Sequence, residues 1–413
     1  QKQTLCEDLT FSRQLRYSRA LDCRFTVLQF QTPMLQFQTE RDCRCYSAER
    51  TSSTLGAAFN ILSAVVGTGL LQLPYGLAQS GWVGTVLIVT LCAMACYTSH
   101  ILIQCLELLK LLGSERAGCE SYSDIGEAVL GARGRHFVNV IMHATLIMVG
   151  TVYNLLGGLN LLDIFSDVEW LTPNVAIAIC ASLIWFHVFL RTLGEVAWVS
   201  GANFFATVAL ALVVIVKSLQ LPPEAPPQTA WVVRDVLRFG VAFASFTFSF
   251  GAHPILPTLY GTMQKPSQYW GMVICTYMVI AVIYLPVISI AYGTYGEDVQ
   301  SPIYLTPPIK ASTAMKTMVA LITAHVIGSY AVVINPSEVA LENMLRVDHR
   351  RCPWLLRIGL RTLFVLFTCT VSILAKRDFA SFLALVNSAL SFVSTSWVLP
   401  CIFYIILSKR AGV

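Results

Sequence analysis

Long apolar runs separated by short polar connectors fill most of this chain, and within each run the apolar residues are nearly continuous. Runs of about 18 or more such residues are long enough to cross the roughly 30 Å hydrocarbon core of a bilayer as helices. About ten reach that length, near 54 to 79, 82 to 109, 136 to 163, 173 to 190, 195 to 219, 238 to 261, 268 to 293, 313 to 337, 353 to 375 and 379 to 408. Strands of a membrane barrel would instead alternate in segments of about ten residues. The pattern therefore predicts an all-α polytopic membrane protein.

Composition agrees: hydrophobic residues make up 55% of the 413 and charged residues only 12%. Mean hydropathy is +0.65, whereas globular domains carry about 25% charged residues. Residues 1–53 stand apart, mixing Arg, Gln and Cys, with LQFQT at 28 to 32 and again at 35 to 39. No apolar run of signal-peptide type occurs there. They read as a disordered cytosolic tail ahead of a transmembrane domain over 54–408. The start at Gln1 rather than Met reads as a fragment or a processed product.

Charge orients the spans. Lys110, Arg116, Arg133, Arg135, Arg191, Lys265, Arg346, Arg350 and Arg351 fall in connectors on the side of the N-terminus, and Arg234, Lys310, Lys376 and Arg377 on the other, with Lys217, Arg238 and Lys316 near helix ends there. The positive-inside rule then places both termini in the cytosol. The net charge of +5 is spread over connectors, which argues against a nucleic-acid partner. None of the 13 cysteines falls in a far-side connector, so no disulfide framework is expected. Cys43 and Cys45 beside Asp42 are too sparse for a metal site.

Two runs are interrupted at matching places, GTGLLQLP from Gly67 to Pro74 and FGAHPILP from Phe250 to Pro257. A membrane helix broken by Gly and Pro leaves backbone groups that only a binding cavity or buried protein can satisfy. Repeats over 54–219 and 238–408 would each hold about five spans, and an odd number inverts the second against the first. Gly67 and Gly251 each lie thirteen residues into their half. A kink or a close helix crossing would explain either break alone; a matched pair points to the midplane site of an inverted-repeat carrier.

These residues resemble the amino acid/auxin permease family of secondary amino acid transporters. NILSAVVGTGLLQLPYGLAQSGW, Asn60 to Trp82, is similar to that family's opening helix. SYSDIGEAVLG at 121 to 131, FSFGAHPILPTLYGTMQKPSQYW at 248 to 270, INPSEVALEN at 334 to 343 and DFASFLALVNSALSF at 378 to 392 follow in the family's order. The similarity runs from about Leu55 to Leu407. CYTSHILIQCLEL at 96 to 108 and MQKPSQYW at 263 to 270 look most like the vesicular inhibitory amino acid and vacuolar branches. The resemblance implies the leucine-transporter fold, a 5+5 inverted repeat with helices 1 and 6 broken. It also implies small amino acids as substrate, the lipid bilayer as surroundings, and no cofactor beyond a coupling ion, H+ or Na+. Many relatives carry an eleventh span, and this chain stops after the tenth, at Lys409 and Arg410.

A zwitterionic amino acid needs partners for a carboxylate and an ammonium. Amides of Gly67, Thr68 and Gly69 can donate to the carboxylate with the help of the helix dipole, glycine allowing close approach and positive φ. Carbonyls of Phe248, Ser249, Phe250 and Gly251 can accept from the ammonium, because His253, Pro254 and Pro257 disrupt the following turns. Phe246, Phe248 and Phe250 point to different faces, so one or two line the pocket.

Ionisable groups within spans are functional candidates: His143, His187, His253, His325 and Glu338. His253, inside a break, is the first choice for a coupling proton, with Glu338 as the second candidate or as a plain partner of Arg346. Hydrogen-bonded packing accounts for the other three histidines. Ser329 and Asn335 offer oxygens to sodium instead. The leading expectation is proton-linked transport by alternating access on a vacuolar, vesicular or lysosomal membrane. The alternatives are sodium-coupled import at the plasma membrane and a transporter-like receptor. No HExxH motif or Ser/His/Asp constellation supports an enzyme, and no filter sequence supports a channel.

Overall fold

The computed structural model describes residues 50, 52–113, 121–189, 196–233, 235–310, 312–377, 382 and 393–412. Almost all of the expected tail, and most of 379 to 392 in the expected tenth span, lie outside the described residues. In chain order the helices are α1 (Thr54–Val65), α2 (Leu73–Ser80), α3 (Val83–Leu111), α4 (Tyr122–Leu130), α5 (Ala132–Ile164), α6 (Pro173–Trp185) and α7 (Val196–Gln220). They continue as α8 (Val236–Phe248), α9 (Leu256–Thr262), α10 (Tyr269–Tyr295), α11 (Thr313–Met344), α12 (Pro353–Ala375) and α13 (Leu399–Ala411), with a single turn at Pro307–Lys310. Among the described residues the only β pairing is one isolated bridge between Ser52 and Met263.

Among the described residues six stretches are long and apolar enough to cross a membrane: α3, α5, α8 through α9, α10, α11 and α12. The faces they turn outward suit lipid tails, with Leu363, Leu366 and Phe367 of α12 and Met278 and Val282 of α10 exposed. Inward, α5, α6, α11 and α12 pack on one another, while α1, α2, α3, α8 and α10 form a second group, with α13 along α3. Without a strong hydrophobic drive between helices in lipid, close approach depends on small residues. Gly158 shows this, since a Cβ there would stand 2.7 Å from the Ile177 backbone of α6.

Two elements differ from the sequence reading. α11 was expected to end at 337, yet it carries through Pro336 to Met344, because a membrane bundle re-satisfies the carbonyl that a proline frees. α4 was not expected as a helix. Its signal is a capping box, Ser121 accepting from the Asp124 amide while Asp124 bonds back to the Ser121 backbone. Arg410 then clasps its far end, donating to Ala128 O at 2.8 Å and Val129 O at 2.9 Å, where the helix dipole favours a cation. Tyr122 donates to Thr395 O at 2.6 Å, in the π-turn Ser394–Val398. Burial pushes the Tyr122 phenol well above its ordinary value, so it stays a donor.

Candidate functional site

The first break opens where α1 stops at Val65. Val66 (φ −83°, ψ 86°) and Gly67 (φ −154°, ψ −127°) leave the helix, and a 3-10 turn over Thr68–Gln72 leads into α2. Pro74 is not part of the interruption; it sits in the first turn of α2, where a missing N–H costs no helix bond. The positive φ expected of the glycines is also absent, since Gly67 has a negative φ and Gly69 is not among the positive-φ residues. Crowding does not require glycine at Gly67 either, because a Cβ there would meet nothing nearer than Ser63 O at 4.0 Å. The amides of Thr68 and Gly69 belong to a helix start, which leaves its first N–H groups without intrahelical acceptors. The Thr68 side chain lies outside the described residues.

The second break follows Phe248. Ser249 to Ala252 are non-helical, then a 3-10 turn His253–Ile255 restarts the chain into α9, with Pro254 and Pro257 each in a first turn. The gap is partly closed by its own backbone. Gly251 N–H donates to Phe248 O at 3.2 Å and Ala252 N–H to Phe250 O at 2.9 Å. Each of those carbonyls keeps a second lone pair, and among the described residues Gly251 O has no hydrogen-bond partner.

The two breaks touch. A Cβ on Gly69 would stand 2.8 Å from Ser249 Oγ and 3.0 Å from Ser249 Cα, so glycine is needed there for close approach. Tyr284 of α10, 1% exposed, shares its hydroxyl proton between Val65 O at 2.8 Å and Ser249 O at 3.1 Å. One phenol thus ties the last carbonyl of α1 to the first residue of the second break. Of the three phenylalanines, Phe246 packs against Gly76 of α2 and Phe250 against the Tyr277 and Tyr284 rings. All three are buried. At one end of the bundle Ser52 N–H donates to Thr262 O and Gln264 N–H to Ser52 O, both at 2.9 Å, so the approach to α1 is laced to the end of α9.

His253 turns away from the break toward α3. Its Nε2 lies 2.9 Å from Thr98 Oγ1 and 3.3 Å from Ser99 Oγ, hydroxyls that donate to the carbonyls of Met94 and Ala95 in their own helix. The imidazole is therefore the donor, with its hydrogen on Nε2, and among the described residues Nδ1 has no partner. Replacing His253 by Ala is expected to cost about 1–3 kcal/mol by stranding this buried cluster, read as a lower thermal unfolding midpoint in detergent. An unchanged midpoint would show that the cluster does not hold α3 to the second break.

Two discontinuous apolar helices joined at their breaks have the arrangement expected of a carrier, and a comparison of sequence decides the family. The model for "Transmembrane amino acid transporter protein" matches residues 50–412.

The chain belongs to the transmembrane amino acid transporter family.

Membership agrees with the resemblance read from the motifs and makes the chain a transporter-family protein rather than an enzyme. Amino acid transporter AVT1C of Arabidopsis thaliana is 27% identical over 375 residues, covering 87% of this chain and 65% of the relative. Amino acid transporter AVT1J of the same plant is 29% identical over 380 residues, 88% of this chain and 85% of the relative. Lysine histidine transporter-like 4, also from Arabidopsis thaliana, is 26% identical over 385 residues, 88% of this chain and 82% of the relative. This chain therefore spans less than two thirds of the first relative's length and most of the other two.

The remaining candidates of this transporter-family chain lie elsewhere, on α11. Glu338 does not pair with Arg346, as the sequence suggested; because the helix continues past Pro336, it faces His187 at 2.9 Å and Arg361 at 3.6 Å. Ser329 contacts His325 Nδ1 at 3.1 Å. Asn335, six residues on, is rotated by about 120° and displaced by about 9 Å along the helix, so the two do not form one ligand set. Among the described residues no group of His, Cys, Asp and Glu is placed to hold a metal. Tyr284 and the Ser249 contact were missed, since a tyrosine in an apolar run reads as ordinary packing.

Proposed function

We propose that the chain is a proton-coupled secondary transporter of small amino acids, working by alternating access at the joined breaks. The observation that carries this reading is the Gly69 to Ser249 contact, bolted by Tyr284, which brings a helix start and freed carbonyls to one place. Amides of Gly67, Thr68 and Gly69 receive the substrate carboxylate at the positive end of a helix dipole. Carbonyls around Gly251 receive the ammonium. In this reading the domain over 54–408 is a ten-span 5+5 inverted repeat, with repeats 54–219 and 238–408. The distribution of Lys and Arg supports cytosolic termini, and the CYTSHILIQCLEL and MQKPSQYW segments support a vacuolar, vesicular or lysosomal membrane.

Reconstitution in liposomes tests it. Labelled amino acids are expected to accumulate under an imposed pH gradient and not under a sodium gradient alone. Accumulation driven by sodium and indifferent to pH would replace the proton with sodium. Binding without flux under either gradient would make the chain a receptor.

A further inference from the structure

Four ionisable side chains are buried together where α6, α11 and α12 meet: His187, Glu338, Glu342 and Arg361, each at most 9% exposed. His187 lies in the 3-10 turn Phe186–Phe189 that continues α6. The extension of α11 places Glu338 and Glu342 four residues apart, on one face of the helix.

Donor counting fixes a proton here. His187 Nδ1 is 2.7 Å from Ile184 O and its Nε2 is 2.9 Å from Glu338 Oε1. A carbonyl only accepts, so Nδ1 bears a hydrogen. A hydrogen bond from Nε2 to Oε1 needs a second hydrogen, on the nitrogen or on the oxygen. Both contacts are hydrogen bonds at once only when the pair holds one proton more than a neutral imidazole beside an ionised carboxylate. At His253, by contrast, only one ring nitrogen has a partner among the described residues.

The surroundings fit that proton. Arg361 Nε lies 2.8 Å from Glu342 and 3.6 Å from Glu338, so the guanidinium sits closer to Glu342 and leaves Glu338 Oε1 to His187. Arg357, with a side chain 43% exposed, reaches Glu342 at 3.3 Å from the wetter side. The neutral Tyr330 ring stands 5.4 Å from His187, with its hydroxyl 2.9 Å from Thr368 of α12. From α5, His143 lies 3.1 Å from Ser337, the residue before Glu338. Among the described residues Glu338 Oε2 accepts no hydrogen bond, with Arg361 Nε 3.6 Å away, so His187 is the group that compensates this buried carboxylate most directly.

We propose that His187 and Glu338 form the proton-binding site of the carrier, holding one proton between Nε2 and Oε1 while α6 and α11 are closed on each other. When that proton leaves, a nitrogen lone pair faces a carboxylate, attraction becomes repulsion, and the two helices part. Proton occupancy thereby biases helix position, which is what coupling requires. The inference rests on the proton-coupled reading above and deepens it.

The test uses the full chain in liposomes with a labelled amino acid that the unaltered protein carries. A gradient of one pH unit supports accumulation of about tenfold per coupled proton. Glu338→Gln and His187→Gln are each expected to bring this to about onefold, the level of no coupling, while counterflow exchange without a gradient persists. Full gradient-driven accumulation in either variant overturns the proposal, as does loss of exchange and accumulation together in protein that is folded. Infrared difference spectra of purified protein between acidic and alkaline buffer are the second readout, with a protonation band present in the parent and absent from both variants. If Glu338→Gln does not fold, Glu338→Asp, which keeps the acid, is read in the infrared and must retain the band. A band unchanged in both Gln variants sinks the site. Sodium-driven parent uptake with the band still lost in the variants instead removes proton coupling and leaves a titrating dyad.

Discussion

Gly69→Leu is expected to abolish transport. A single Cβ at this position would already stand 2.8 Å from Ser249 Oγ and 3.0 Å from Ser249 Cα, and the Cα, being backbone, cannot swing aside as a flexible side chain would. Overpacking of this kind costs about 1–3 kcal/mol even for a small addition, so Gly69→Ala should lower the unfolding midpoint and slow uptake, with Leu adding a wedge between the breaks. Liposome uptake and thermal unfolding on the same preparations check both. Parental uptake in Gly69→Leu would mean that the breaks are not in contact during the cycle.

Tyr284→Phe is expected to have the next largest effect, because it removes one oxygen and keeps the ring packing. Val65 O and Ser249 O would lose a buried donor, at a cost of about 1–3 kcal/mol, and transport should fall by about tenfold for each 1.4 kcal/mol that the lost bond contributes to the working geometry. The hydroxyl is shared between the last carbonyl of α1 and the first residue after α8, so the variant should also uncouple the two helices. Cross-linking between cysteines placed on α1 and α8 should become less efficient. Unchanged cross-linking, stability and rate together would show that the phenol only fills space.

Much of the architecture was legible because membrane helices announce themselves through length and apolarity, and the spans at 82 to 109, 173 to 190 and 353 to 375 match α3, α6 with its following turn, and α12 closely. The breaks were legible for the same reason, since Gly and Pro are conspicuous in such runs. Their roles were not separable from sequence. Gly69 admits a neighbour, whereas Pro74, Pro254 and Pro257 each start the next helical segment. Pairing was the least legible. Nothing local relates Tyr284 to Val65, or His187 to Glu338, because such partners are chosen by helix packing and not by spacing along the chain. Of the two roles offered for Glu338, the pairing with Arg346 is not found, its neighbours being His187 and Arg361.

The lacing of Ser52 to the end of α9 has a mechanical consequence. At that end the two broken helices hang on one rung, so displacing either must carry the other, like paired doors on a single hinge. Phe246 against Gly76 joins the complementary halves, α2 and α8. In the proposed cycle the two crossed pairs of leaves, with Tyr284 as the pin between them, would uncover each side of the substrate by swinging one pair while the other stays shut.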